Sequence, residues 1–268
     1  MILLDNLLKK VVQETYPDVK EYKQFHVRIV PKELKSKHGK YIQNDRQIEI
    51  YNLSRSPGAN FLTALHEVAH HIEAMDLGDT AHKDTFYSRF YPLVCTALRM
   101  GYINQDDLLL DSKDSADYDK LCKYYGTSFA NEYTKSKCKN VVQVRQAYDS
   151  RKLLKRRDFS YYSKKQLWIR KFETEEQAVN EFQILESLEQ GLEIQIVNIL
   201  DLIFVETYYI AVPGAYQYRE VLKEKGFIWN GYGHKNVWIK RIASQEYPEI
   251  CQFLKANRLI GKKVESKF

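Results

Sequence analysis

The sequence predicts an α+β fold in three parts. Residues 1–135 form one domain, and residues 139–190 and 206–260 form two small βαββα modules. Two observations carry this reading. Along the first part, helical periodicity and strand alternation succeed one another in short blocks. In the remainder, one pattern of residues occurs twice at a period near 70.

The elements follow in order. Residues 2–15 read as an amphipathic helix. No basic segment precedes its apolar residues, so it is not expected to be a secretory signal. Residues 25–30 read as a weakly alternating strand. Further strands are expected near 40 and at 46–52, where Ile48 and Ile50 share a face. A helix at 58–76 carries the apolar stripe Leu62, Leu65, Ala69 and Ile72. The run from Asp76 to Thr80 breaks it: Gly78 suits the position after a helix end, and Asp79 or Thr80 suits the N-cap of a second helix at 81–99, which Gly101 ends. Residues 103–137 look helical. Their aspartates, Asp106, Asp107, Asp111, Asp114, Asp117 and Asp119, read as a solvated face rather than a metal site.

The two modules are recognised by alignment. The run from Asn140 to Tyr148 matches the run from Tyr208 to Tyr216. Arg151, Leu154, Lys155 and Phe159 then meet Arg219, Leu222, Lys223 and Phe227 without a gap. After a turn that differs by two residues, Trp168-Ile169-Arg170-Lys171 meets Trp238-Ile239-Lys240-Arg241. In the second module the hairpin turn falls at Gly231-Tyr232-Gly233. The pattern resembles small βαββ modules of bacterial and phage proteins and, more distantly, the HARP domain of DNA-annealing enzymes.

Composition sets bounds. The chain has 268 residues, enough for one large core or two modest ones, and a net charge of +6. This basic balance permits nucleic-acid binding without requiring it. The cysteines, Cys95, Cys122, Cys138 and Cys251, are far apart, which excludes a zinc ribbon and suits free thiols in a reducing compartment. The longest apolar run, near 196–205, contains Asn198 and Asp201 and is too short to span a bilayer. A cytoplasmic protein without membrane contact is expected.

The most informative residues are His66-Glu67-Val68-Ala69-His70, an HExxH pattern on the expected helix. Positions four apart lie one turn apart, about 40° around the axis, so His66 and His70 can present two imidazoles to one metal. Glu67, offset by about 100°, can reach a water without being a ligand. Two fixed nitrogens, an open position and a carboxylate base are what a zinc hydrolase needs. A third protein ligand is still required, and His71, Glu73, Asp76, Asp79 and His82 are the candidates. His82, in the first turn of the second helix if that helix folds back, is the best placed.

His66-Glu67-Val68-Ala69-His70, followed by His82-Lys83-Asp84-Thr85-Phe86, resembles the SprT-like metallopeptidases, whose pattern is HExxH and a later histidine with phenylalanine four residues on. The strands around Gly39-Lys40-Tyr41 and Gln47–Leu53 resemble those that precede the active-site helix there. The resemblance covers residues 20–100. The family usually has glycine after the third histidine, where this chain has Lys83. The resemblance implies a zincin-like domain and a Zn2+-dependent peptidase with His66, His70 and His82 as ligands, Glu67 as general base and proteins as substrates, in some members proteins bound or crosslinked to DNA. Tyr41, Tyr87 and Tyr91 are open candidates for stabilising the oxyanion. Strand 46–52 is expected to be an edge to which an extended substrate adds.

The modules suggest a second partner. Between Arg151 and Lys171 lie nine basic residues against Asp158 alone. Basic side chains neutralise phosphates, and aromatic faces stack on unpaired bases. Lys155, Arg156, Arg157, Tyr162 and Tyr232 are the expected contacts to DNA, single-stranded in preference. The rival readings are a nucleic-acid- or protein-binding regulatory protein with a vestigial or structural zinc site, and a regulatory protease whose modules recognise one protein partner.

Overall fold

The computed structural model describes residues 3–112, 116–126, 139–188 and 191–265. Helix α1 (Leu3–Thr15) buries Leu4, Leu7, Leu8, Val11 and Val12, a three-and-four spacing that gives one apolar face. Three short strands follow: β1 (His26–Ile29), β2 (Gly39–Ile42) and β3 (Gln47–Ile50). Their order is β1-β3-β2, with β1 parallel and β2 antiparallel to β3. Strand β3 is therefore central, which corrects the expectation of an edge at 46–52. Its Ile48 and Ile50 are both buried on the helix-facing side, and a strand with a buried face gains by having neighbours on both flanks. The free edge beside the next helix belongs to β2.

Helix α2 (Pro57–Leu77) is set by its ends. The Ser56 side chain accepts from the Ala59 N–H at 3.2 Å, and Pro57 occupies the first turn, where its missing N–H does no harm. Gly78 closes the helix in the left-handed conformation at φ 77°, where a Cβ would be strained. Helix α3 (Asp84–Arg99) packs back on α2. It starts later than expected. Lys83 stands at its N-cap and Asp79 and Thr80 do not, so His82 sits in the preceding turn rather than in the helix. Helices α4 (Gln105–Asp111) and α5 (Asp117–Tyr125) complete this part.

Asp106 and Asp119 are exposed as expected, but three of the other aspartates of this region are not solvated. Asp107 is wholly buried and closes a reciprocal cap with Asn104; buried Asp111 pairs with Arg55; Asp117 reaches His66. Asp114 and Cys138 lie outside the described residues. Cys95, Cys122 and Cys251 are free thiols.

Two four-stranded antiparallel sheets make up the rest. The first has β4 (Val141–Arg145), α6 (Arg151–Arg156), β5 (Ser160–Tyr162), β6 (Leu167–Lys171), α7 (Glu175–Leu188) and β7 (Glu193–Val197), in the order β5-β6-β4-β7. After α8 (Ile199–Phe204) the second has β8 (Thr207–Pro213), α9 (Arg219–Glu224), β9 (Ile228–Trp229), β10 (Val237–Ala243), α10 (Tyr247–Ala256) and β11 (Lys262–Val264), in the order β9-β10-β8-β11. Strand order and pairing sense agree between the two. Each sheet has a closing strand, β7 or β11, that the sequence reading did not include.

The apolar cores are divided unequally. One cluster runs from α1, α2 and α3 through α8 into the second sheet and takes in Val141 and Leu167 of the first, whereas Val142, Val144, Leu154, Phe159, Trp168 and Leu185 form a separate cluster on the first sheet. The apolar run near 196–205 is now explained: Ile199, Leu200, Leu202, Ile203 and Phe204 are buried in α8, which packs on α2. Among the described residues no helix is long and apolar enough to cross a membrane.

Candidate metal centre

Helix periodicity puts His66 and His70 on one face of α2, and the turn before α3 brings His82 over them. The three Nε2 atoms form a near-equilateral triangle: 2.9 Å between His66 and His82, 3.1 Å between His70 and His66, and 3.1 Å between His70 and His82. Among the described residues this is the one group of three or more potential ligand side chains close enough to share an ion. Phe86 lies beneath it, with its ring 4.4 Å from that of His70 and 4.7 Å from that of His66.

Second partners fix which nitrogen of each ring carries the proton. His66 Nδ1 lies 2.7 Å from Asp117 Oδ2, and a carboxylate can only accept, so the proton is on Nδ1 and the Nε2 lone pair is free. His70 Nδ1 lies 2.6 Å from Thr80 Oγ1, whose hydroxyl donates to Glu73 Oε2 at 2.8 Å. That hydroxyl hydrogen is committed, so Thr80 accepts from His70 and leaves the His70 Nε2 lone pair free as well. Acceptor lone pairs converging at about 3 Å repel one another unless a cation or a proton lies between them. Two nitrogens on one tetrahedral zinc, each at ~2.05 Å, would be ~3.3 Å apart, close to the spacing observed. The donor set and its orientation fit a zinc ion.

Electrostatics agree in direction. Burial first, then the neighbouring His66 and His82, lower the His70 pKa to about 3, so this ring is neutral at ordinary pH. Burial and His66 lower His82 too. Burial alone would also lower His66, but its hydrogen bond to Asp117 and the charge of that carboxylate raise it on balance. Burial pushes the Glu67 carboxyl up to about 7, against the opposing pull of His66 and of the Tyr41 backbone N–H from which it accepts.

The other proposed ligands point elsewhere. Glu73 is buried and receives Thr80 Oγ1, the Ala81 N–H and Thr85 Oγ1, so it shapes the turn that carries His82. His71 Nδ1 meets the Tyr41 hydroxyl at 3.0 Å instead. Asp76 accepts from Tyr22 and Arg89, and Asp79 accepts from the Thr80 N–H. The three tyrosines suggested for the oxyanion are likewise engaged: Tyr41 with His71, Tyr87 with Asp117 Oδ1 at 3.4 Å, and Tyr91 stacked on Tyr125 at 3.8 Å.

A cleft of about 470 Å³ opens beside the three histidines, walled on one side by β2 and the loop before it, including Lys37, Gly39 and Lys40. Tyr41 turns its N–H to Glu67, away from β3, and alternation puts the outward backbone of Gly39 on the same edge. A Cβ at Gly39 would lie 2.6 Å from Glu67 Oε1 and 2.7 Å from Thr63 Cγ2, so glycine lets β2 approach the carboxylate closely. No protein-family model, curated protein or solved structure matches this chain. The functional case rests on these residues and their geometry.

Of the expected nucleic-acid contacts, Lys155 and Arg156 are exposed. Arg157 is not available. Its Nε and Nη2 form a two-pronged pair with buried Glu181 at 2.6 and 2.9 Å, which Arg170 joins. Tyr162 packs against the main core, and its neighbour Tyr161 is the exposed aromatic of that hairpin. Tyr232 rests edge-on against Tyr209 at 5.1 Å between ring centres. Trp168 and Trp238 are buried in their hairpins. Asp117, Thr80 and Gly39 were missed as site residues. An aspartate 51 residues from His66 carries no local signal of its role.

Proposed function

We propose that this chain is a zinc-dependent endopeptidase with a zincin-like domain, acting on protein substrates. The observation that supports it is the convergence of three imidazole Nε2 atoms, two of them with their lone pairs free, beside a buried carboxylate and facing a cleft walled by a strand edge. His66, His70 and His82 would hold the ion, which supplies Lewis acidity toward the scissile carbonyl and acidifies water when bound. Asp117 and the Thr80–Glu73 pair fix the two helix-borne rings. Glu67 takes the proton of the attacking water and passes it to the leaving amine nitrogen. The exposed edge of β2 offers backbone groups to an extended peptide, which replaces the role first given to β3.

The test is Glu67→Gln, measured for zinc content and for cleavage of an unfolded protein such as casein. The amide cannot accept the water's proton, so the variant should keep its zinc and lose turnover. Unchanged turnover would remove the base role. A zinc-loaded wild type that cleaves nothing over a broad substrate panel would favour a binding protein whose zinc is structural or vestigial.

A further inference from the structure

A second hollow shares no lining residue with the histidine cleft. It measures about 630 Å³, within the ~300–1,000 Å³ of small-ligand clefts, and is lined by Gln146, Tyr148, Arg151, Lys155, Tyr161 and Trp168 among others. Tyr148 is 76% exposed and Tyr161 54% exposed, unusual for rings that have no packing role. The Arg151 guanidinium lies 4.4 Å from the Tyr148 ring centre, and its Nη1 donates to the Tyr148 carbonyl at 3.0 Å, so the cation is held at the rim. Tyr161 lies opposite Trp168 across the β5–β6 pair, with ring centres 5.3 Å apart.

The second sheet supplies an internal comparison. Trp229 lies opposite Trp238 in the equivalent pair, Tyr216 stands where Tyr148 does, and Arg219 lies 5.6 Å over Tyr216. Two differences separate the sites. Tyr216 and Trp229 touch edge to face at 6.0 Å, which closes the gap between them. Glu220 pairs with both Arg219 and Lys223, while the aligned position in the first sheet is Lys152. Among the described residues no carboxylate pairs with Arg151 or Lys155. The first sheet thus combines an open aromatic hollow with cations at its rim that no carboxylate among the described residues meets, whereas in the second the rings touch and one carboxylate serves both cations.

We propose that this hollow is a binding site for single-stranded nucleic acid. An unpaired base stacks on Tyr161 or Tyr148, and the flanking phosphates are met by Arg151, Lys152 and Lys155. The proposal moves the expected contacts from Tyr162 and Arg157, which the fold has engaged elsewhere, to Tyr161, Tyr148 and Arg151. It does not rest on the peptidase reading.

The experiment uses the full chain and a fluorescein-labelled twenty-residue oligothymidylate, alone or annealed to oligoadenylate, in anisotropy titrations at about 50 mM salt. Wild type should prefer the single strand. Tyr161→Ala and Tyr148→Ala should each weaken that binding about tenfold, and Tyr161→Phe, which keeps the ring, should restore it. Arg151→Glu with Lys155→Glu should weaken single strand and duplex alike and flatten the salt dependence by about two counterions. Both rings are exposed, so thermal melting and zinc content should stay at wild-type values. No binding of the single strand, equal affinity for the duplex, or wild-type binding by both alanine variants would overturn the proposal. Peptide cleavage is unaffected by any of these outcomes, so the two readings fail separately.

Discussion

Asp117→Ala tests whether the support of the histidines, and not their presence alone, makes the metal site. In the folded chain Asp117 Oδ2 holds His66 Nδ1 at 2.7 Å, with the side chains only 19% and 15% exposed. Shielding of this degree makes the contact stronger than a solvated pair, whose worth is about 0–1 kcal/mol. Removing such an outer partner of a metal-binding histidine weakens metal affinity about 10–100-fold. At 1.36 kcal/mol per tenfold this is about 1.4–2.7 kcal/mol. Asp117→Asn should fall at the lower end, because its amide oxygen still accepts from Nδ1–H while the charge is lost. Thr80→Val, close in volume, removes the acceptor of the His70 proton and should have a similar effect through the other ring. The assay is competition for zinc against a chromogenic chelator at pH 8. There the lowering of the His66 pKa that follows loss of Asp117, which would reduce proton competition, does not offset the result. Circular dichroism monitors the fold. Zinc affinity of Asp117→Ala within twofold of wild type, with the fold intact, would refute the reasoning.

Two further outcomes follow from the geometry. Gly39→Ala forces β2 away from Glu67, since its Cβ would lie 2.6 Å from Oε1; zinc content should be kept and cleavage of casein should fall roughly 10–100-fold. Arg55→Ala leaves Asp111 charged in a site where the pair's side chains are 7% and 6% exposed, and urea unfolding should show a loss of about 3–5 kcal/mol. In contrast, Arg55→Met with Asp111→Leu should be close to neutral, because both charges leave together.

What the sequence disclosed about the site is what helix periodicity controls. His66, Glu67 and His70 are placed by turns of one helix, and Gly78 marks its end, so the placement of His82 is only one turn of chain away. The roles of Asp117 and Glu73 were hidden because they depend on how α5 and the turn after α2 fold back on α2. Asp117 sits in an acidic stretch that reads as solvated, and only tertiary contact shows otherwise. Strand order was equally invisible. The alternation of 47–51 gives a buried face but does not say which neighbours flank it. Tyr161 and Tyr162 illustrate the sharpest limit. In a strand of three residues, a shift of one residue exchanges the exposed ring for the packed one, and no pattern that short fixes the choice.

The two like sheets make different contacts with the rest of the molecule. The second shares its core with the part that carries the three histidines. Tyr208 donates to Glu33 at 2.8 Å, Gln245 donates to the Leu53 carbonyl at 3.0 Å, and Lys263 reaches the Pro31 carbonyl. Those contacts fall on the segments just before β2 and α2, so this sheet braces the wall and floor of the cleft. The first sheet gives Val141, Leu167 and Tyr162 to that same core and keeps a second cluster of its own, and its Lys165 ammonium donates to the Leu202 and Val205 carbonyls. On the second sheet Tyr216 and Trp229 meet edge to face, and Glu220 pairs with Arg219 and Lys223. On the first sheet Tyr148 and Tyr161 stay exposed, and the hollow lies there. Lys165 thus ties the first sheet to α8, which packs on α2, the helix that carries His66, Glu67 and His70.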